Sequence, residues 1–175
     1  MSPVRVSLAK MFIRASNAYG RNRAMKIREA RAGDERPLAE MRSLLWPTTT
    51  FDEQLTEMRE FLAGKIPGTL PCTSFIAEDD SGTPIGFIEV DLRSHVDGCD
   101  THQPTGYIEG WFVHEASRGQ GIGKALVNAA EDWSRAHGCK EMGSDALIDN
   151  EISIQAHAAL GFEVVDRCVN FRKDL

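Results

Sequence analysis

The stretch SRGQGIGKAL, Ser117 to Leu126, follows a strand-like apolar run, YIEGWFV (Tyr107 to Val113), and opens a helix-like one. That order, strand then glycine turn then helix, decides the fold. A strand returning after such a helix lies parallel to the first, because a crossover helix joins parallel neighbours. Ile122, Leu126, Ala129, Ala130 and Trp133 recur at helical spacing, which lays one face of the helix on a sheet. KEMGSDA, Lys140 to Ala146, reads as the returning strand.

The turn is suited to an anion. Gly119, Gly121 and Gly123 let the backbone approach a ligand and present successive N–H groups. The helix N-terminus supplies a positive end, and Arg118 and Lys124 add charge. Two familiar phosphate loops fail. A dinucleotide fingerprint needs a third glycine where Lys124 stands, and a P-loop needs Ser or Thr where Ala125 stands. Arg118-x-x-Gly121-x-Gly123 remains, and a pyrophosphate fits it. A turn that binds nothing is the alternative, and three glycines between two cations argue against it.

Working outward, MKIREA is a strand and Asp34 caps a helix through ERPLAEMRSLLW. Thr50 to Glu53 has capping-box spacing and opens a second helix that Gly64 ends. TSFIAED and IGFIEVDLRS flank the turn DDSGTP and form an antiparallel hairpin. Beyond the crossover, EISIQAHAAL is a helix, and GFEVVD and CVNFRK close the chain as a hairpin. The fold class is therefore α/β (α+β): a mixed, mainly antiparallel sheet of six or seven strands, helices on both faces, and a central parallel pair. The 175 residues suit one domain, placed at 25–175, with 1–24 as a basic extension.

Charge narrows the partners. There are 26 acids and 20 cations, every acid lies at or after Glu29, and five cations precede Met25. The body thus sets 15 cations against 26 acids, which repels nucleic acid and anionic membranes and attracts polycations. No apolar run approaches the roughly 20 residues of a membrane span. Four scattered cysteines without a C-x-x-C pair read as reduced thiols of a cytoplasmic protein. His95, Cys99, Asp100 and His102 match no zinc spacing, so no metal is expected.

The R-x-x-G-x-G turn after WFVHEAS resembles the acyl-CoA pyrophosphate motif of the GNAT acyltransferase superfamily. Asn150 before the last helix and AHAALGFE at its end are similar to further landmarks of that family. LLWP (Leu44 to Pro47), DGCD (Asp97 to Asp100), IEGWFV and CKEMGSDALIDNEIS together resemble the aminoglycoside 6'-N-acetyltransferases. The resemblance implies acetyl-CoA as co-substrate and the 6'-amine of a polycationic aminoglycoside as acceptor, with a homodimer common among relatives. It also implies a CoA site of Phe112, Val113, Arg118, Gly119, Gln120, Gly121, Ile122, Gly123, Lys124 and Asn150.

The acceptor must lose a proton before it attacks, and Asp145 and Glu109, which interrupt apolar strands, are the candidates to take it. A strand amide near Phe112 or Val113 would hold the oxyanion. Many relatives carry a tyrosine as leaving-group acid where this chain has His157. Trp46, Asp97, Asp100, Glu109, Trp111 and Asp145 are the expected acceptor wall, Trp111 sharing a face with Glu109 by strand alternation. Two other readings stay open: an acetyltransferase for another small amine or a protein lysine, and a non-catalytic acyl-CoA-binding module.

Overall fold

The computed structural model describes residues 25–65 and 70–174; the basic extension expected over 1–24 lies outside them. The order is β1 (Lys26–Glu29), α1 (Glu35–Leu45), α2 (Phe51–Leu62), β2 (Cys72–Glu78), β3 (Pro84–Arg93), β4 (Thr105–Val113), α3 (Ile122–Ala136), β5 (Met142–Ser144) and α4 (Glu151–Ala158). The five strands lie in chain order, β1 through β4 antiparallel and β4 with β5 parallel. The crossover predicted around the glycine turn is therefore present.

Two cores form, one on each face. Leu38, Met41, Leu45 and Met58 of α1 and α2 pack on Ile76, Phe87 and Phe112. Ile122, Leu126, Val127 and Ala130 of α3 pack on Ile88, Ile108, Trp111 and Val113. Thr50 and Glu53 form the capping box read from their spacing, and Gly64 ends the region at φ 68°. Asp34 precedes α1 but does not cap it through its side chain, which instead accepts from Arg28 and from the Arg31 N–H.

Between α1, α2 and β3 the buried guanidinium of Arg42 donates to Gln54, Glu57 and Glu89. A charge buried this deeply is tolerable only when so paired.

The sheet has five strands among the described residues rather than six or seven. The closing hairpin expected from GFEVVD and CVNFRK is absent, and among the described residues no regular structure follows α4. Val164, Val165, Val169 and Phe171 are exposed, Phe171 to 93%. The edge such a hairpin would extend is short: β5 is three residues long, and a two-stranded hairpin with so little sheet to join is marginal in water.

Candidate active site

The site is a fork between two parallel strands. β4 pairs with β5 only at Gly106, Tyr107 and Ile108, ending with Ile108 opposite Ser144, whereas β4 continues to Val113. On its other edge β4 carries a bulge. Val90 faces Ile108 and Glu89 faces Gly110, so Glu109 is an extra residue. Bulges bend and twist the strand that carries them, and here pairing with β5 stops at the bulge.

The bulge also corrects the alternation expected for Glu109 and Trp111. Trp111 turns into the α3 core, only 1% exposed, and meets the edge of His157 at 5.5 Å between centroids. Its ring has no open face for a sugar. Glu109 turns the other way, to an ion pair with Arg93. The Arg93 guanidinium lies 3.4 Å over the Tyr107 ring, and the Tyr107 hydroxyl donates to Asp145 at 2.7 Å. Burial, then the bond to Asp145, pushes the Tyr107 phenol well above its usual pKa. Burial works against the Arg93 charge, but Glu109, with Asp91 and Tyr107 adding to it, raises that pKa overall. The two predicted carboxylates are thus joined on one face through Arg93 and Tyr107, neither of which the sequence singled out.

Trp46 completes that face. A Cβ on Gly110 would come within 2.7 Å of its indole, so Gly110 is what lets the ring lie against β4 beside Glu109. Arg42 stacks on Trp46 at 4.5 Å, in reach of a cation–π attraction. The other two predicted acids sit elsewhere. Asp97 is exposed beside His95, and Asp100 accepts from the His102 N–H and Gln103 in its own turn. Their loop is tied by the Asp100 N–H to Glu141, ahead of β5 and at the closed end of the strand pair.

Toward the open end stands the glycine loop. Gly119 and Gly121 have φ of 74° and 81°, a region that favours glycine, and a Cβ on either would meet only open space. Gly121 precedes α3, whose first turn has no side-chain cap and no acid, leaving its N–H groups and positive end to an anion. Gly123 has a different reason: a Cβ there would lie 3.0 Å from Trp111. Arg118 donates to the Val113 carbonyl at 2.8 Å, whereas Lys124 and Gln120 are exposed and the Ile122 side chain is core. This cradle fits a pyrophosphate.

Strand parity sorts the amides. His114 donates to Ile85, so Phe112, two residues back, turns its N–H toward β3, and Trp111 and Val113 turn theirs toward the fork. Of the two amides expected at the oxyanion, that of Val113 faces the fork and that of Phe112 faces β3.

His157 is buried, and both ring nitrogens are engaged. Nδ1 lies 2.7 Å from the Ser153 carbonyl and so must donate, which leaves Nε2 to accept from the Ser144 hydroxyl at 3.0 Å. Burial lowers its pKa against the weaker pull of the Ser153 carbonyl and Asp145. It cannot hand a proton to the fork directly, because Ser144 stands between. Asn150 caps α4 by accepting from the Ser153 N–H. Among the described residues no three His, Cys, Asp or Glu side chains are placed to hold a metal.

The acetyltransferase (GNAT) family matches residues 38–162. An aminoglycoside N(6')-acetyltransferase type 1 of Klebsiella aerogenes is 38% identical over 149 residues, which is 85% of this chain and 96% of that protein. One of the same name from Stenotrophomonas maltophilia is 37% identical over 87% of this chain and 95% of its own. Among solved structures, AAC(6')-Iy in complex with the bisubstrate analogue CoA-S-monomethyl-acetylneamine superposes with TM-score 0.77 at 35% identity, covering 87% of this chain and 99% of that one. The aminoglycoside 6'-N-acetyltransferase AAC(6')-Ih of Acinetobacter baumannii also gives 0.77, at 33% identity over 87% and 99%.

Proposed function

The chain belongs to the acetyltransferase (GNAT) family, and from that premise we infer that it transfers the acetyl group of acetyl-CoA to the 6'-amino group of aminoglycosides. The observation that carries the acceptor is the face where Glu109 and Asp145 meet beside Trp46, on a chain of net charge −6. A polycation is drawn to such a surface and held by paired carboxylates.

The residues divide the work as follows. The amides of the Gly119–Gly123 loop and the N-terminus of α3 hold the pyrophosphate, with Lys124 at the rim. Asp145 and Glu109 bind ammonium groups, and Asp145 takes the proton that frees the attacking amine. The amides of Trp111 and Val113 receive the carbonyl oxygen as it gains charge. The product exchanges a cation for a neutral amide and so loses electrostatic hold on a polyanion; resistance to the drug is the consequence.

The cytoplasm is the proposed location, since Cys72, Cys99, Cys139 and Cys168 form no disulfide among the described residues. A homodimer is proposed as well. A groove beside β5 is lined by Cys139 to Met142 and Leu160 to Phe162, and Val164, Val165, Val169 and Phe171 of the segment that follows are exposed. A strand exchanged between two copies would cover both, and light scattering of the purified protein reads the mass.

Release of CoA thiol from acetyl-CoA tests the activity, with kanamycin, tobramycin, spermidine and a lysine peptide as acceptors. Saturable release with the two aminoglycosides is expected. Release with spermidine or peptide alone overturns the acceptor, and CoA binding without release to any amine overturns the enzyme.

A further inference from the structure

We propose that Ser144 and His157 form a proton relay at the fork, in which Ser144 meets the reacting atoms and His157 acts behind it. The inference rests on the acetyl transfer proposed above. Its ground is the arrangement of one half-buried hydroxyl at the last paired residue of β5 and one buried imidazole whose only lone pair points at that hydroxyl. His157 has no other outlet: Nδ1 is committed to Ser153, Trp111 and Phe162 pack edge-on against the ring, and Ser144 fills the remaining side. Asp145 is the charged group acting on the ring, and it accepts a hydrogen bond from Tyr107.

The position suits the chemistry. A thioester whose pyrophosphate sits at the glycine loop and whose arm follows the unpaired amides of β4 ends where pairing resumes, at Ile108 and Ser144. The amine arrives from the opposite face, past Glu109 and Asp145. Asp145 serves the first proton, that of the incoming ammonium. Once the C–N bond forms and the carbonyl π pair moves to oxygen, the cationic nitrogen carries two protons, and one of them, the second that the acceptor gives up, must leave.

Ser144 Oγ takes that second proton as its own passes to Nε2 of His157, which becomes imidazolium. The oxygen pair then restores the carbonyl, the C–S bond breaks and its electron pair stays on sulfur. The proton returns from Nε2 through Oγ to sulfur, giving the thiol and a neutral imidazole. One neutral amine and one thioester yield one amide and one thiol, with no outside reactant. A histidine whose burial favours the neutral form accepts in the first half and is a strong donor in the second.

The experiment compares the wild-type chain with Ser144→Ala, Ser144→Thr, His157→Gln and the double variant Ser144→Ala/His157→Gln, using kanamycin and acetyl-CoA. With Ser144→Ala, kcat should fall about 100-fold, the low end of general acid–base contributions, while the KM for acetyl-CoA changes less than about threefold. Ser144→Thr, which keeps a hydroxyl, should stay within about tenfold of wild type. The double variant should be no slower than the slower single, because the two groups act as one unit.

A second readout needs no turnover: nitrogen-15 NMR of His157 should show a neutral ring protonated on Nδ1 at pH 7, with the Nε2 shift moving in Ser144→Ala. A Ser144→Ala kcat within threefold of wild type, multiplied effects in the double variant, or a proton on Nε2 each overturns the relay alone. Absence of wild-type turnover with kanamycin overturns the acetyl-transfer reading and the relay together. If His157→Gln does not fold, the half-buried Ser144 variants and the NMR readout decide.

Discussion

On one face of β4 the working side chains are charged and partly open to water: Glu109, its partner Arg93, and Asp145 behind Tyr107. On the other face Ile108, Trp111 and Val113 are closed beneath α3, and the polar groups there, Ser144 and His157, form neutral hydrogen bonds. A single inserted residue, Glu109, separates the two arrangements. The open face can exchange water and Arg93 for an ammonium group at little cost in packing. The closed face moves no charge in from solvent, and its side chains hold fixed distances. On the roles proposed above, binding belongs to the first and proton handling after attack to the second.

The sharpest way to break this division is Asp145→Asn. It keeps the shape and the Tyr107 contact partner but cannot take a proton. The kcat with kanamycin should fall by about 100- to 1,000-fold, within the usual range for a lost general base. CoA affinity, measured by calorimetry, should be unchanged. A variant that weakened CoA binding as much as turnover would mean that the two faces are not separable.

Next in size is Glu109→Gln. It removes a carboxylate from the open face and should raise the KM for kanamycin about tenfold, the equivalent of roughly 1.4 kcal/mol, while kcat changes less. The effect should shrink at high salt, because a partly exposed attraction is screened. A salt-independent change would show that Glu109 acts through the shape of the bulge rather than through charge.

How much of this was legible can be read from the same residues. The crossover, the capping box at Thr50 and Glu53, and the glycine turn that opens α3 without a side-chain cap follow local rules of spacing, and each stands in the structure. The faces of Glu109 and Trp111 did not follow, because strict alternation was assumed and a bulge is set by pairing with β3, a partner distant in sequence. Arg93, Tyr107 and Ser144 were passed over for a related reason. Each looks like an ordinary strand residue until the register places Tyr107 beside Asp145 and α4 brings His157 onto Ser144. The closing hairpin failed for the opposite reason: its pattern is strand-like, but the sheet edge beside it, β5, is only three residues long.

Two glycines sharpen the contrast in packing. A Cβ on Gly123 would press on Trp111 at 3.0 Å, and one on Gly110 on Trp46 at 2.7 Å. Distance alone predicts the larger penalty at Gly110. Surroundings predict the reverse, because Trp111 is fully enclosed whereas Trp46 is partly open and can yield. Gly123→Ala should therefore lower unfolding stability by about 1–3 kcal/mol, the usual cost of overpacking. Gly110→Ala should cost less stability and instead raise the KM for kanamycin as Trp46 shifts. Equal stability losses from the two would remove the distinction between a closed and a yielding face.

The smallest effect concerns pH. Burial holds His157 below its ordinary value of 6.5, so the folded chain resists a proton that the unfolded chain accepts. Between the folded value and 6.5 the unfolded state binds more protons, and stability rises with pH across that window. The stabilisation is complete above 6.5 and is lost as pH falls toward the folded value. Its slope for one group cannot exceed about 1.4 kcal/mol per pH unit. Asp34 does not blur this window: its pKa is lowered from 3.8, burial being outweighed by Arg28 and the Arg31 N–H, so its own loss begins only below 3.8. Urea unfolding of wild type and His157→Gln from pH 7.5 to 5 should give a falling line for the first and a flatter one for the second. Parallel lines would place the acid-sensitive group elsewhere, and the closed face would then owe its neutrality to something other than the burial of this ring.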